Sequence, residues 1–339
     1  MAGVGRGGKL GGPSARRADG SVRRGLLNVT LVLALLLLLA APASAAIRFK
    51  RSGEATLGGA DALAGVPEAC EIGRKHVWVE VEGRGDCIAF YATRNLSNAR
   101  QAVLFFEGDI PPSYRRDSAK LRQHLSSLQR TLETLDATYR VPYVLVARPG
   151  TFGSTGDHSD RRKDREYLVM RAAVDAIRER FRLDHVSLTG QSGGATIVGA
   201  LLVLGISGVK CAVPASGGYD LTAMLDWHAD RQGIVVGIHR EHPASLSGSF
   251  NVMDRLDDVR SDRARRVFVL GDPRDQVTPF AQQQRFAAGL QSAGHHAELV
   301  EGSARGPEHH GLTFVGLRLA GLCATGASDA DVRRAAKGP

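Results

Sequence analysis

The chain lacks the signatures of several common chemistries. Its four cysteines, Cys70, Cys87, Cys211 and Cys323, never stand at the short spacing of a zinc site. No early strand runs into a G-x-G-x-x-G turn, which disfavours a dinucleotide enzyme. No basic run is interleaved with aromatics, and no internal repeat is visible. The formal charge of +9 is also weaker than it looks. Residues 1–45 hold six basic residues (Arg6, Lys9, Arg16, Arg17, Arg23 and Arg24) and one acid, Asp19. Without them the charge falls to +4, from 38 basic and 34 acidic residues. So mild a balance gives no support for nucleic-acid binding.

The N-terminal stretch reads as an export signal. Residues 1–25 are rich in Gly and Arg, and residues 26–40 are nearly all aliphatic. Ala43-Ser44-Ala45 then supplies an A-x-A site, so 1–45 is expected to be removed before Ala46. Val22-Arg23-Arg24-Gly25-Leu26-Leu27 loosely resembles a twin-arginine signal, with Val22 where a polar residue is usual. The alternative is an uncleaved anchor, because the apolar run approaches the roughly 20 residues of a membrane-spanning helix. Export places the mature chain in the periplasm or outside the cell, with membrane contact only if the anchor is retained.

All four cysteines lie beyond that segment, and an even count in an exported chain suggests disulfides, buried free thiols being the alternative. Cys70 and Cys87 bracket a hairpin-like region, which favours that pair and leaves Cys211 with Cys323.

After a leader over 46–74, short apolar runs read as strands at His76–Val81, Cys87–Ala92, Ala102–Phe106, Pro142–Ala147, His185–Thr189, Lys210–Pro214, Val267–Leu270 and Ala297–Val300. Helical spacing appears over Asp117–Thr138, Asp164–Phe181, Ala195–Leu204, Phe280–Ser292 and Leu312–Cys323. The alternation predicts one α/β domain over 75–325: a mostly parallel central sheet with helices on both faces. Residues 220–264, mixed and charged with Trp227, His228, His239 and His242, are the place for a small lid insert. Residues 326–339 form a C-terminal tail. Arg161-Arg162-Lys163-Asp164-Arg165 reads as the solvated start of a helix.

The chemistry concentrates at Gly190-Gln191-Ser192-Gly193-Gly194, between a strand and an apolar helix. A tight strand-to-helix turn exposes a serine hydroxyl, and a Cβ at Gly190 or Gly194 would collide with backbone. In a chain with 40 glycines the pattern alone is weak; its flanks strengthen it. A serine needs a base, and the base needs an acid that fixes its tautomer. After the strand Arg266–Leu270 come Asp272 and Asp275; Asp275 is favoured as the acid, with Asp272 forming the turn before Pro273. Glu308-His309-His310-Gly311 offers the base, and His310 is favoured because Gly311 leaves room beside it. The developing oxyanion needs two N–H donors. These are expected from Gly193 and from Asp109, in the loop after Val103–Phe106; alternatively Glu107 and Asp109 only solvate a strand end. His295-His296 does not place two ligands on one face, so no metal is expected, and nothing calls for a cofactor.

Phe106-Glu107-Gly108-Asp109, Ala147 to Gly156, the Ser192 pentapeptide, the Asp275 turn and the His310 loop together resemble the α/β-hydrolase superfamily, most of all its exported bacterial serine hydrolases. The resemblance covers residues 75–323. Glu107 departs from it, standing where many relatives have His. It implies that Ser192 is acylated by a small ester or a peptide, with Gly193 and Asp109 stabilising the oxyanion and His310 activating water. Arg148 would rim the site, holding either a substrate carboxylate or, preferably, a structural ion pair. Two alternatives stand beside hydrolysis: a catalytically silent binding protein of this fold, and acyl transfer by the same triad. Neither the natural substrate nor the oligomeric state is written in the sequence.

Overall fold

The computed structural model describes Cys70 and residues 75–115, 117–230 and 248–337. The expected export signal, nearly all of the leader, His239 and His242 lie outside the described residues.

The sheet begins with an antiparallel hairpin. Strands β1 (His76–Val81) and β2 (Arg84–Ala92) are joined at Glu82 and Gly83, both at positive φ (52° and 72°), as a two-residue hairpin requires. Strands β3 (Gln101–Phe106) and β4 (Tyr143–Val146) follow, and every residue of β4 is buried. Then come β5 (His185–Gln191), β6 (Val209–Ala215), β7 (Arg266–Gly271) and β8 (His296–Glu301). The spatial order is β1-β2-β4-β3-β5-β6-β7-β8. β2 joins β4 antiparallel, and from β4 to β8 every pairing is parallel.

Parallel strands need crossovers, and the helices supply them. These are α1 (Pro112–Arg115), α2 (Ser118–Tyr139), α3 (Asp164–Phe181), α4 (Gly193–Val203), α5 (Leu221–Asp230), α6 (Phe280–Ser292), α7 (Thr313–Ala324) and α8 (Asp329–Ala336). Local chemistry sets their ends: Asp117 accepts from the N–H groups of Ala119 and Lys120, both at 3.0 Å, and so caps α2.

Period-two alternation in the strands divides the interior into two layers. Leu104 and Phe106 of β3 and Leu188 of β5 join the buried faces of α3, α4 and α6 in one of them. Val103 and Phe105, with Cys211 and Val213 of β6, join α2, α7 and α8 in the other. Helices therefore cover both faces. Cys211–Cys323 ties α7 to β6, and Cys70–Cys87 ties the segment before β1 to β2.

Three features differ from the sequence reading or add to it. Of the 220–264 insert, residues 231–247 lie outside the described residues, while Phe250, Val252 and Val259 are buried in the core and belong to the body. The tail is helical where Ser328 caps α8, and Val332 and Ala336 bury against the second layer. Among the described residues, no helix is long and apolar enough to cross a membrane.

Because β3, β5, β7 and β8 run parallel, their carboxyl ends share one edge. The loops holding Asp109, Ser192, Asp275 and His310 converge there.

Candidate active site

Ser192 occupies the sharp turn between β5 and α4 at φ 55°, ψ −120°, backbone that a non-glycine residue adopts only at a cost of order 1–3 kcal/mol. The turn is packed from both sides. A Cβ on Gly190 would strike the carbonyl of Gly194, and one on Gly194 would strike the carbonyl of Phe106. The glycines are thus required by close approach, as the sequence suggested. Ser192 N–H donates to Ala215 O at 2.9 Å, which fastens the turn to β6.

Asp275 and His310 are brought together. His310 Nδ1 lies 2.8 Å from Asp275 Oδ2 and 3.1 Å from Oδ1. A carboxylate only accepts, so Nδ1 carries the proton and Nε2 is left as the basic nitrogen. The Asp275 side chain is 1% exposed, and its Oδ1 also accepts from Val277 N (2.8 Å) and Thr278 N (2.9 Å). Those bonds fix its plane. Asp272 serves the backbone instead. Its carboxylate accepts from Arg274 and from Ala304 N at 2.9 Å, and so builds the turn. Burial would raise the Asp272 carboxyl, but these hydrogen bonds outweigh it and hold the group below the usual range. His309, at φ 53°, lies on the Asp272 side, 3.9 Å from Oδ2.

The loop after β3 lies against the serine. A Cβ on Gly108 would come within 3.4 Å of Ser192 Cβ, which places the Asp109 backbone beside the turn. The Asp109 side chain does not solvate a strand end. It is 4% exposed and receives Arg148 Nη1 (2.7 Å), Arg162 Nη2 (2.5 Å) and Arg161 Nε (3.2 Å). Burial alone would raise its carboxyl; Arg162, Arg148 and Arg161 reverse that and hold it well below the usual carboxylate range. Arg148 also donates to buried Glu166 at 2.8 Å, so it forms the structural ion pair that the sequence reading preferred.

The run Arg161–Arg165 needs correction as a solvated helix start. Arg162 is 5% exposed and Arg161 16%, and both turn inward to Asp109. A buried carboxylate has to be compensated, and that demand overrides the usual surface preference of arginine. Sequence reasoning missed this pair because only the fold brings Asp109 to it.

The cluster around Asp109 reaches the start of α4 through two side chains: a Cβ on Gly193 would collide with Asp109 Oδ1 and lie 2.7 Å from Arg148 Nη1. Gly193 opens α4; Ala195 N and Thr196 N donate to Ser192 O at 2.9 and 3.1 Å, while the N–H groups that precede them in a helix have no acceptor in an earlier turn. The helix terminus favours negative charge at this point.

Glu107 turns one oxygen to Gly108 N (3.2 Å) and the other toward His124 Nε2 (3.8 Å). This pairing raises the His124 imidazole above its ordinary value, against the opposing effect of burial. Beside the Asp275 turn runs an open groove of about 640 Å³, walled by Trp227, Pro279 and Phe280. Away from the site, His296, Glu298 and Asp329 bring ligand atoms within 4.8 Å of one another. Both carboxylates there are already paired, Glu298 with Arg333 and Asp329 with Arg266, each at 2.5 Å. The second oxygens, Glu298 Oε1 and Asp329 Oδ2, face His296 Nε2 at 3.9 and 2.9 Å.

No protein-family model and no curated protein matches the chain. Among solved structures it is similar to an esterase of Pyrococcus furiosus, 15% identical over 67% of this chain and 81% of that one, with a TM-score of 0.48. It is also similar to an acylaminoacyl peptidase of Pyrococcus horikoshii (14% identity, 67% of this chain and 36% of that one, TM-score 0.44). A Butyrivibrio proteoclasticus protein with ferulic acid bound is similar at 16% identity, over 66% of this chain and 88% of that one, TM-score 0.45. At such scores the neighbours carry no argument about activity. The strand order, the left-handed serine after β5, the acid turn after β7 and the histidine loop after β8 define the fold without them: it is the α/β-hydrolase fold.

Proposed function

We propose that this chain is a serine hydrolase that cleaves a carboxylic ester or amide through an acyl-enzyme on Ser192. The observation that carries the reading is the double contact of His310 Nδ1 with buried Asp275, at the sheet edge that also bears Ser192. In the proposed reaction His310 Nε2 takes the Ser192 proton as Oγ attacks the substrate carbonyl. The oxyanion receives the N–H groups of Gly193 and Asp109, and the N-terminus of α4 lowers the cost of the charge. His310 then returns the proton to the departing alcohol or amine. Water, deprotonated by His310, attacks the acyl-enzyme; the acid leaves and Ser192 is restored.

Labelling by a fluorophosphonate tests the reading directly. The purified protein should label, Ser192→Ala should not, and equal labelling of the two would sink the proposal. A panel of p-nitrophenyl esters and aminoacyl anilides then divides esterase from peptidase. We also read the chain as exported, which the two disulfides support. Export predicts a mature protein beginning at Ala46; a full-length cytosolic protein in cell fractions contradicts it.

A further inference from the structure

We propose that Gln191 is a positioning residue that holds the base against the nucleophile; the inference rests on the triad proposed above. Gln191 ends β5, immediately before Ser192, and is 6% exposed. Both ends of its amide are used on one loop. Nε2 donates to the backbone oxygen of His310 at 2.7 Å, and Oε1 accepts from Leu312 N at 3.0 Å. One side chain of the nucleophile strand therefore grips the residue that supplies the base and the second residue beyond it.

The topology explains why such a grip is needed. The His310 loop leaves β8, which is separated from β5 by β6 and β7. At the usual strand spacing β8 is roughly 14 Å from β5, so no strand ladder can fix one to the other. The loop's other ties reach the β7 side: Gly302 N to Gly271 O, Ala304 N to Asp272 Oδ2, and Gln276 N to Glu308 O, each at 2.9 Å. Those bonds hold the loop to the acid turn. Gln191 holds it to the serine turn. The two sets divide the labour: one fixes His310 on Asp275, the other fixes His310 relative to Ser192.

Two substitutions separate this role from simple packing. Gln191→Leu removes donor and acceptor while filling the space. Gln191→Glu keeps the shape and one acceptor but sets an ionised oxygen against the His310 carbonyl, and it serves if the leucine variant does not fold. On p-nitrophenyl butyrate, kcat is expected to fall about 10- to 100-fold, with KM within about threefold, because reacting groups are misplaced and binding is not. In a His310→Ala background, Gln191→Leu should cost less than about twofold further, since nothing remains to be positioned. Two results overturn the proposal: folded variants that keep kcat within about threefold, or an equal loss with and without His310. Ser192→Ala runs alongside. If it turns over ester at the parental rate, the triad reading itself fails, an outcome distinct from a Gln191 null on an enzyme that does depend on Ser192.

Discussion

Asp275→Asn gives the sharpest test of the proposed acid, because the structure dictates how the new amide must sit. Val277 N and Thr278 N, at 2.8 and 2.9 Å from Oδ1, accept nothing and require an oxygen at that position. Flipping the amide would abandon two buried hydrogen bonds and oppose N–H to N–H, at about 1–3 kcal/mol for each donor left unmade. The oxygen therefore stays with the backbone and the NH2 group faces His310 Nδ1. His310 must then accept at Nδ1 and carry its proton on Nε2, the nitrogen that should receive the Ser192 proton. An inverted tautomer in a triad lowers kcat by about 10⁴-fold, near 5.5 kcal/mol of transition-state stabilisation. Folding should barely change, within about 1 kcal/mol, because the backbone bonds survive. Asp275→Ala differs: it strands both N–H groups and should lower stability by about 2 kcal/mol or more. The assay is kcat and KM on p-nitrophenyl butyrate, with urea melts of both variants. Activity of Asp275→Asn within about tenfold of the parent, or a larger loss from Asp272→Asn, would refute the reasoning.

Three further outcomes are expected. Asp109→Asn leaves Arg148, Arg161 and Arg162 facing a neutral group and should cost about 3–5 kcal/mol, as removing one partner of a buried pair does. Because the native carboxyl is held below its unfolded value of about 3.9, its contribution is full above that pH and is lost as pH falls through the depressed native value. Urea melts should therefore show the same deficit at pH 7 and pH 5, shrinking only below about pH 4; a deficit that shrinks already between pH 7 and 5 would be wrong for this cluster. Of the two disulfides, Cys211–Cys323 closes a separation of 112 residues and Cys70–Cys87 one of 17. Chain entropy gives about 5 and 3 kcal/mol, so Cys211→Ala should lower the guanidinium midpoint more than Cys87→Ala, and the reverse order would contradict it. His310→Ala should abolish fluorophosphonate labelling, whereas His309→Ala, beside Asp272, should leave it near the parental rate.

Much of the fold was legible because local patterns and tertiary demands agree. Asp164–Phe181 and Phe280–Ser292 form helices at the bounds their apolar spacing predicts, and His76–Val81 forms its strand. The serine turn was readable for the same reason: Gly190 and Gly194 mark a close backbone approach that only a fold of this kind demands. The α8 helix was not read, since its burial depends on Val332 and Ala336 meeting a layer assembled from distant segments.

The sequence by itself determined which residue types follow which strand: serine after β5, acids after β7, histidines after β8. Between neighbours it offered a preference, for Asp275 over Asp272 and for His310 over His309, and no contact to rest it on. Asp275 and Asp272 are both acids in one turn, and His309 adjoins His310; backbone direction alone puts Asp275 with His310 and His309 on the Asp272 side. Nor could it assign the side chains that join one segment to another. Arg161 and Arg162 look solvated until the fold buries Asp109 beside them, and Gln191 is one letter in a motif until the His310 loop returns over it. Period and spacing report on one element at a time. A contact between elements exists only after the chain has closed, and there the tertiary structure decides.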